Sequence, residues 1–501
     1  MWLLDELESL KDSEDLAIRQ REETITYKEL WRRSEVLSGY FAEKNTAGKP
    51  IVIYGDKEID FVVAMHAALK TGVAYVPVDI SYPVQRLVKI TQQVEADIVI
   101  NFSGNKVFDG ETIELNYGGV KKIYDEYDGY VSDHESWVKN NDTCYILFTS
   151  GSTGEPKGVP IAKRCLVNFN KWFSSYCDIS EDNYYVINQA PYSFDLSVIG
   201  LFISLPAGKC LLSVDHNMSR DLRALFVYLE KYRPTFWIST PSFFDWCSFD
   251  SKFNRELLPD FKRLVFVGEI FTKTLAMRIF ERFPDLSVIN AYGPTEATCL
   301  ITACFVEKAM LEDDRSLPIG RMIDPNGSLP IDVSYTGDDG DDIGELLIIS
   351  ESVGGKYFNN QLLTEERFFE TEQGQFGYKT GDLVFKDGDM LYYIGRKDFQ
   401  IKLHGLRIEL NDIEANLNRL PYISGSVVLP IYKDGKPEYL SAFVSLGEEQ
   451  NESAIRFAMR VKNDLKELVP SYMVPKKVTV VEEFPLNVNG KIDRKKLLEE
   501  C

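Results

Sequence analysis

The sequence predicts an α/β protein in two parts: a large N-terminal domain of mixed parallel sheets and helices over residues 1–397, and a small α+β domain over residues 398–501. Strand-like and helix-like stretches alternate through the first part, and the charge balance shifts where the second begins. From Phe399 to Cys501 there are 15 Lys plus Arg against 15 Asp plus Glu, so this segment is neutral while the whole chain carries −21. A step of that kind marks a boundary between folding units.

Taken in order, the runs KPIVIYG (49–55), ADIVIN (96–101), TFWIST (235–240), RLVFVGE (263–269) and SVINAYG (287–293) read as buried strands. Near-continuous apolar runs suit strands covered on both faces, which points to a largely parallel sheet. Helix-like stretches, such as 60–70 and 273–283, lie between them, as strand-helix alternation requires. In the small domain Asn411 is placed to cap a helix with Glu414 three residues on, and Leu410, Ile413, Leu417 and Leu420 supply its apolar stripe.

Composition narrows the function classes. A length of 501 residues with 44% hydrophobic content is ordinary for folded protein. The start MWLLDELESLKD has no basic and then apolar leader, and no run approaches eighteen apolar residues. A cytoplasmic protein without membrane insertion is expected. The acidic excess repels phosphate backbones and excludes nucleic acid as a partner. The eight cysteines form no CxxC pair and the four histidines stand apart, so neither disulfides nor zinc is signalled.

The strongest chemical signal is TSGSTGEPKG at 149–158, which follows the apolar run YILF at 145–148. A strand feeding a loop of Gly, Ser and Thr offers backbone N–H groups and hydroxyls to phosphate oxygens, with Lys157 as counter-charge. The Walker spacing is absent, because Lys157 follows Gly154 by three and precedes Gly158. Alone, the segment also fits a flexible loop.

Further motifs follow in fixed order: ITYKEL (25–30), LKTGVAYVPVD (69–79), FDLS (194–197), NAYGPTE (290–296), GEL (344–346), YKTGD (378–382), GRKDFQIK (395–402), GLRIE (405–409) and NGKIDR (489–494). With the 149–158 loop they cover nearly the whole chain, which resembles the adenylate-forming (ANL) superfamily and in particular its amino-acid adenylation domains. NQAPYSFDLS at 188–197 and the overall length are most similar to the D-alanine:D-alanyl carrier protein ligases that feed teichoic acid D-alanylation. The resemblance implies an acetyl-CoA synthetase-like large domain and a small C-terminal domain that moves about a hinge at Asp398.

It also implies ATP and Mg²⁺, and a role for each matching residue. Thr149 and Ser150 would take phosphates, Thr295 the α-phosphate and Glu296 the Mg²⁺. Asp382 would accept both ribose hydroxyls, for which a carboxylate offers two charged acceptor oxygens where an amide offers one neutral one beside a donor. Asn290 and Tyr292 are expected at adenine, within the nucleotide-binding run Asn290, Ala291, Tyr292, Gly293, Pro294 and Thr295. Tyr393, Ile394, Gly395 and Arg396 would complete the nucleotide site, and Lys491 would bridge the carboxylate and the α-phosphate. Singly, TGD and NGK also fit simple turns. His404 reads as a surface loop residue, and Trp172, Trp237 and Trp246 as core. No general base is required, since the attacking carboxylate is ionised at neutral pH.

Asp195 of FDLS would bind a substrate ammonium, which points to an amino acid. Fatty-acid activation on the same fold would leave that carboxylate without its cation. A non-catalytic nucleotide-binding module is the remaining alternative. Leu196, Ile199, Val267 and Cys299 would line an apolar side-chain pocket suited to a small amino acid, alanine or glycine first. Val267 stands where these ligases usually carry Cys, so glycine, L-alanine and serine stay open beside D-alanine. In a second half-reaction the small domain would move Lys491 out and bring Lys402 toward the site. The acceptor would be the phosphopantetheine thiol of a separate, acidic carrier protein, docking near Lys476, Lys477, Arg494, Lys495 and Lys496.

Overall fold

The computed structural model describes residues 2–150, 155–177, 185–313, 315–321, 331–335, 343–397, 400–433, 436–446, 452–485, 492 and 494–499. Asp398 and Lys491 lie outside the described residues. The chain divides into two compact units. One holds Met1–Ile80, Thr91–Leu147 and Gly158–Lys397; the other holds Ser81–Ile90, Phe148–Lys157 and Asp398–Cys501.

Three sheets organise the first unit. In the eight-stranded sheet the spatial order is Thr302–Phe305, Ser287–Tyr292, Arg263–Phe266, Phe236–Ser239, Tyr185–Asn188, Cys210–Ser213, Leu16–Gln20, Glu23–Thr26. Its inner pairings are parallel and its two edge strands antiparallel. A six-stranded sheet runs Ile113–Leu115, Ile98–Asn101, Ile51–Gly55, Tyr75–Asp79, Thr143–Thr149, Lys157–Ala162, with its first four pairings parallel. These strands coincide with the apolar runs, because a strand sandwiched between helices exposes neither face.

The third sheet is antiparallel: Gly320–Arg321, Met390–Arg396, Phe376–Asp387, Ile343–Ile349, Ile331–Tyr335. The apolar runs that announced the parallel sheets do not announce this one. Ile343–Ile349 alternates between buried and partly exposed residues, the pattern of a sheet with one wet face, and near-continuous apolar runs do not reveal that pattern.

Helix Ile59–Lys70 is buried along its whole length. Helix Lys273–Arg282 lies where expected; Thr272 caps it by accepting the Leu275 N–H, and Leu275, Ala276 and Ile279 are buried. Trp172 and Trp237 are core residues, while Trp246 is half-buried.

In the second unit the hairpin Gln400–Leu403 and Leu406–Glu409 turns at His404 (φ 52°) and Gly405 (φ 80°). Two consecutive positive φ values match the twist of a two-residue hairpin, which explains the Gly and the exposed His404. Helix Leu410–Leu417 follows. Leu410, Ile413, Leu417 and Leu420 are buried as the stripe requires, but the capping box does not form. The N-cap is Glu409, without a side-chain cap bond. Glu414 instead accepts the Val428 N–H at 2.8 Å and pairs with Arg494 at 2.9 Å. Arg494 is therefore committed internally, while Lys476, Lys477 and Lys496 are exposed. The helix packs with Ala454–Lys466 on a three-stranded sheet of Ile423–Lys433, Lys436–Leu446 and Lys477–Val480.

Among the described residues no helix is long and apolar enough to cross a membrane. Their seven cysteines are free and buried.

Candidate active site

In the first unit, strand Tyr185–Asn188 ends in a looping segment that leads to Asp195. The Phe194 N–H donates to the Pro191 carbonyl at 3.0 Å and the Ser197 N–H to the Phe194 carbonyl at 3.1 Å. The half-buried Asp195 carboxylate accepts a hydrogen bond from the Thr295 hydroxyl at 2.7 Å. Leu196, Ile199, Val267 and Cys299 are all buried in the same apolar cluster. Val267 follows strand Arg263–Phe266, and Cys299 follows Thr298 in a left-handed turn (φ 72° and 57°). Gly293 is indispensable here. A Cβ on it would lie 2.3 Å from the Cys299 carbonyl oxygen, so that no side chain fits between NAYGPTE and the turn that carries Cys299.

Glu296, on the short turn Thr295–Ala297, is fully buried and accepts a hydrogen bond from the Tyr357 hydroxyl at 2.7 Å. Asn290, Ala291 and Tyr292 lie on strand Ser287–Tyr292, and Pro294 is half-buried after it. The Asn290 amide donates to the Pro318 carbonyl at 2.6 Å.

Asp382 is a strand residue rather than a turn residue, paired in register with Arg396 across Phe376–Asp387 and Met390–Arg396. One carboxylate oxygen accepts from Arg396 at 2.5 Å and the other from the Tyr292 hydroxyl. The Arg396 guanidinium also donates to the Thr380 carbonyl at 3.0 Å. Burial, seconded by the Asp382 charge, pushes the Tyr292 phenol well above its ordinary range, so it remains a donor to Asp382. Tyr393 and Gly395 are half-buried on the same strand and Ile394 is exposed.

In the second unit the Thr149 hydroxyl is buried and has no hydrogen-bond partner among the described residues. Burying a hydroxyl without a partner is unfavourable, and an anionic oxygen would satisfy it. The Ser150 hydroxyl donates to the Arg407 carbonyl at 3.1 Å and accepts the Glu409 N–H at 3.0 Å, so it is engaged with the hairpin. Lys157 lies 3.5 Å from the Glu409 carboxylate, both buried, and Gln400 donates to the same carboxylate. Lys402 is half-buried on that hairpin. A further ion pair joins Glu155 to Lys89 at 3.0 Å and to Arg419 at 2.8 Å.

Sequence reasoning missed Tyr357, which lies 61 positions from Glu296 and carries no local signal. It also missed the Gln400–Glu409 contact, although both residues stand in quoted motifs. Each unit by itself offers donors that suit a nucleotide: the second an orphaned hydroxyl at Thr149, the first a buried Asp382 carboxylate oriented by a phenol and a guanidinium. Glu296 is a hard oxygen donor of the kind that binds Mg²⁺ together with substrate phosphates.

Two family descriptions match the chain, the AMP-binding enzyme over residues 8–358 and the AMP-binding enzyme C-terminal domain over residues 412–491. A D-alanine--D-alanyl carrier protein ligase of Bacillus cytotoxicus is 36% identical over 503 residues, covering 100% of this chain and 99% of the relative. Another, of Bacillus licheniformis, is 38% identical over 488 residues, covering 97% and 96%. Among solved structures, holo-PA1221, an NRPS protein containing adenylation and PCP domains, superposes with a TM-score of 0.82 at 21% identity, covering 100% of this chain and 84% of that one. At that identity the structure shows a shared fold. With relatives above one-third identity over nearly their whole length, the chain belongs to the AMP-binding enzyme family, in the group of the D-alanine--D-alanyl carrier protein ligases.

Proposed function

We propose that this AMP-forming ligase activates a small amino acid, D-alanine first, as its aminoacyl-AMP and passes the acyl group to the phosphopantetheine thiol of a separate acidic carrier protein. The observation that carries the reading is the Asp195–Thr295 hydrogen bond. It ties a carboxylate suited to an ammonium to the hydroxyl expected at the α-phosphate, so amine recognition and phosphate positioning share one contact. The names of the relatives favour D-alanine over glycine, L-alanine and serine, all of which suit a pocket of Leu196, Ile199, Val267 and Cys299.

In the first step a substrate carboxylate oxygen attacks the α-phosphorus and pyrophosphate leaves. Both partners are anions, so the residues must offset charge and align them. Thr149 holds a phosphate with its unpartnered hydroxyl, Ser150 and Lys157 do so in exchange for their contacts with Arg407 and Glu409, Thr295 holds the α-phosphate and Lys491 the developing charge. Glu296 would hold Mg²⁺, which when bound would supply Lewis-acid neutralisation of charge on the leaving group. Asp382 accepts the ribose hydroxyls, with Arg396 beside it, and Asn290 and Tyr292 flank the base. In the second step the carrier thiol attacks the carbonyl and AMP leaves. We assign the hinge between the steps to Asp398, with Lys402 serving the transfer.

Exchange of labelled pyrophosphate into ATP tests the reading, with glycine, both alanine and serine enantiomers, and a short-chain fatty acid. Exchange with one small amino acid is expected. Exchange with the fatty acid alone would move the protein to acyl activation, and silence throughout would make it a binding module.

A further inference from the structure

Of the buried lysines that the chemistry above leaves unused, one contacts the segment that leads to Asp195. Lys57 follows strand Ile51–Gly55 and is 1% exposed. Its ammonium donates to the Asn188 side-chain oxygen at 3.0 Å and to the Ala190 carbonyl, and lies 3.9 Å from the centre of the Tyr192 ring. These three partners are alternate residues of the segment that runs directly into Asp195. The segment is knitted further by the Asn188 amide, which donates to the Tyr192 hydroxyl at 3.1 Å, and by the Ser197 hydroxyl, which donates to the Phe194 carbonyl at 2.7 Å. The Tyr192 ring also packs on Phe61, centroids 4.9 Å apart.

An ammonium taken out of water persists only where partners compensate its desolvation. Here one partner, Asn188, is the last residue of strand Tyr185–Asn188, paired with Ser213, while Ala190 and Tyr192 lie beyond it where the chain has left the sheet and no helix has begun, so the lysine ties that connection back to the strand end. We propose that Lys57 is a positioning residue for amino-acid capture: by holding Asn188, Ala190 and Tyr192 it fixes the turn from which Asp195 meets the substrate ammonium. The proposal rests on the reading of Asp195 as the ammonium-binding group.

Charge state supplies a readout that a purely structural role would not move. Burial lowers Lys57 to about 7, against the opposing pull of the Asp56, Asp79 and Glu58 carboxylates that face it, and burial pushes Glu58 itself up to about 7. Once neutral, the lysine loses its attraction to the Tyr192 ring and donates weaker bonds. The KM for the amino acid therefore rises as pH rises through about 7, while the KM for ATP does not follow.

Steady-state exchange on the full chain, with D-alanine or the amino acid that replaces it in the exchange test, provides the experiment. Asp195→Asn raises the amino-acid KM. Lys57→Met raises it about tenfold, the worth of one charged hydrogen bond, leaves the KM for ATP within about twofold, and removes the rise through neutral pH. Glu58→Gln keeps that rise and displaces it to lower pH, because a negative neighbour of Lys57 is gone. Asn188→Leu leaves Lys57 in place, removes one acceptor and produces a smaller selective rise, which covers the case in which Lys57→Met fails to fold. An unchanged amino-acid KM in Lys57→Met or Asn188→Leu, or an equal rise in both KM values, overturns the proposal while Asp195→Asn still supports the ammonium reading. An unchanged KM in Asp195→Asn overturns both.

Discussion

At the scale of the residue, Asp382 is the carboxylate that the proposed function assigns to the ribose hydroxyls, and its partners leave it able to accept them. Arg396 and Tyr292 each occupy one direction on one oxygen, and each oxygen retains a further lone-pair direction for a ribose hydroxyl. Replacing it by Asn leaves one acceptor oxygen and turns an N–H₂ donor toward either Arg396 or Tyr292. Asp382→Asn should raise the KM for ATP ten- to a hundredfold, the range for about 1.5–3 kcal/mol of charged hydrogen bonding, with the amino-acid KM nearly unchanged. Tyr292→Phe, which keeps the ring and loses only the orienting donor, should cost several-fold less. Exchange kinetics with ATP varied check both, and equal effects on the two substrates would place Asp382 in folding rather than in nucleotide binding.

At the scale of the element, helix Ile59–Lys70 is buried along its length yet carries ionisable side chains. Asp60 is satisfied by Arg33 at 3.2 Å and Tyr124 at 2.7 Å, and Lys70 by Glu35 at 2.8 Å with the Trp31 ring alongside. His66 sits among them, and burial followed by the Lys70 charge lowers it from 6.5 to about 3. Between those values the unfolded chain binds a proton that the folded chain refuses, so stability falls as pH drops below about 6.5. A His66→Leu variant lacks this penalty. Between pH 7.5 and 5, wild type should lose about 2 kcal/mol more than the variant in urea unfolding, a shift of about 1.5 pH units at 1.36 kcal/mol each. Glu58 acts in the opposite direction but is common to both proteins. Parallel curves would show that the folded chain protonates His66.

The elements also show what the sequence makes legible. Parallel strands were readable because burial on two faces writes an unbroken apolar run. The strand Ile343–Ile349 was not, because one wet face breaks the run. The expected capping box failed because Glu414 found Arg494 eighty positions away, a charged partner that local spacing cannot announce.

At the scale of the whole molecule, the candidate site was legible where its residues stand inside short motifs and illegible where a distant residue orients them. Asp195, Glu296 and Asp382 could be named, whereas Tyr357 and Lys57 reach their partners across 61 and 131 positions. Under the proposed function the division of labour between the two steps turns on Lys491, the last residue of the C-terminal family match at 412–491. Attack by one anion on another needs a cation at the reacting oxygens, whereas attack by a thiol on the activated carbonyl needs none there. Lys491→Ala should therefore slow aminoacyl-AMP formation by a factor on the order of a hundred to a thousand, the range for losing one preorganised charge. Transfer from chemically prepared aminoacyl-AMP to the carrier should stay within a few-fold of wild type. Lys402→Ala should show the reverse pattern, with exchange retained and carrier loading reduced. Rapid-quench measurement of each half-reaction separates the two, and adenylation that survives in Lys491→Ala would remove this lysine from the chemistry.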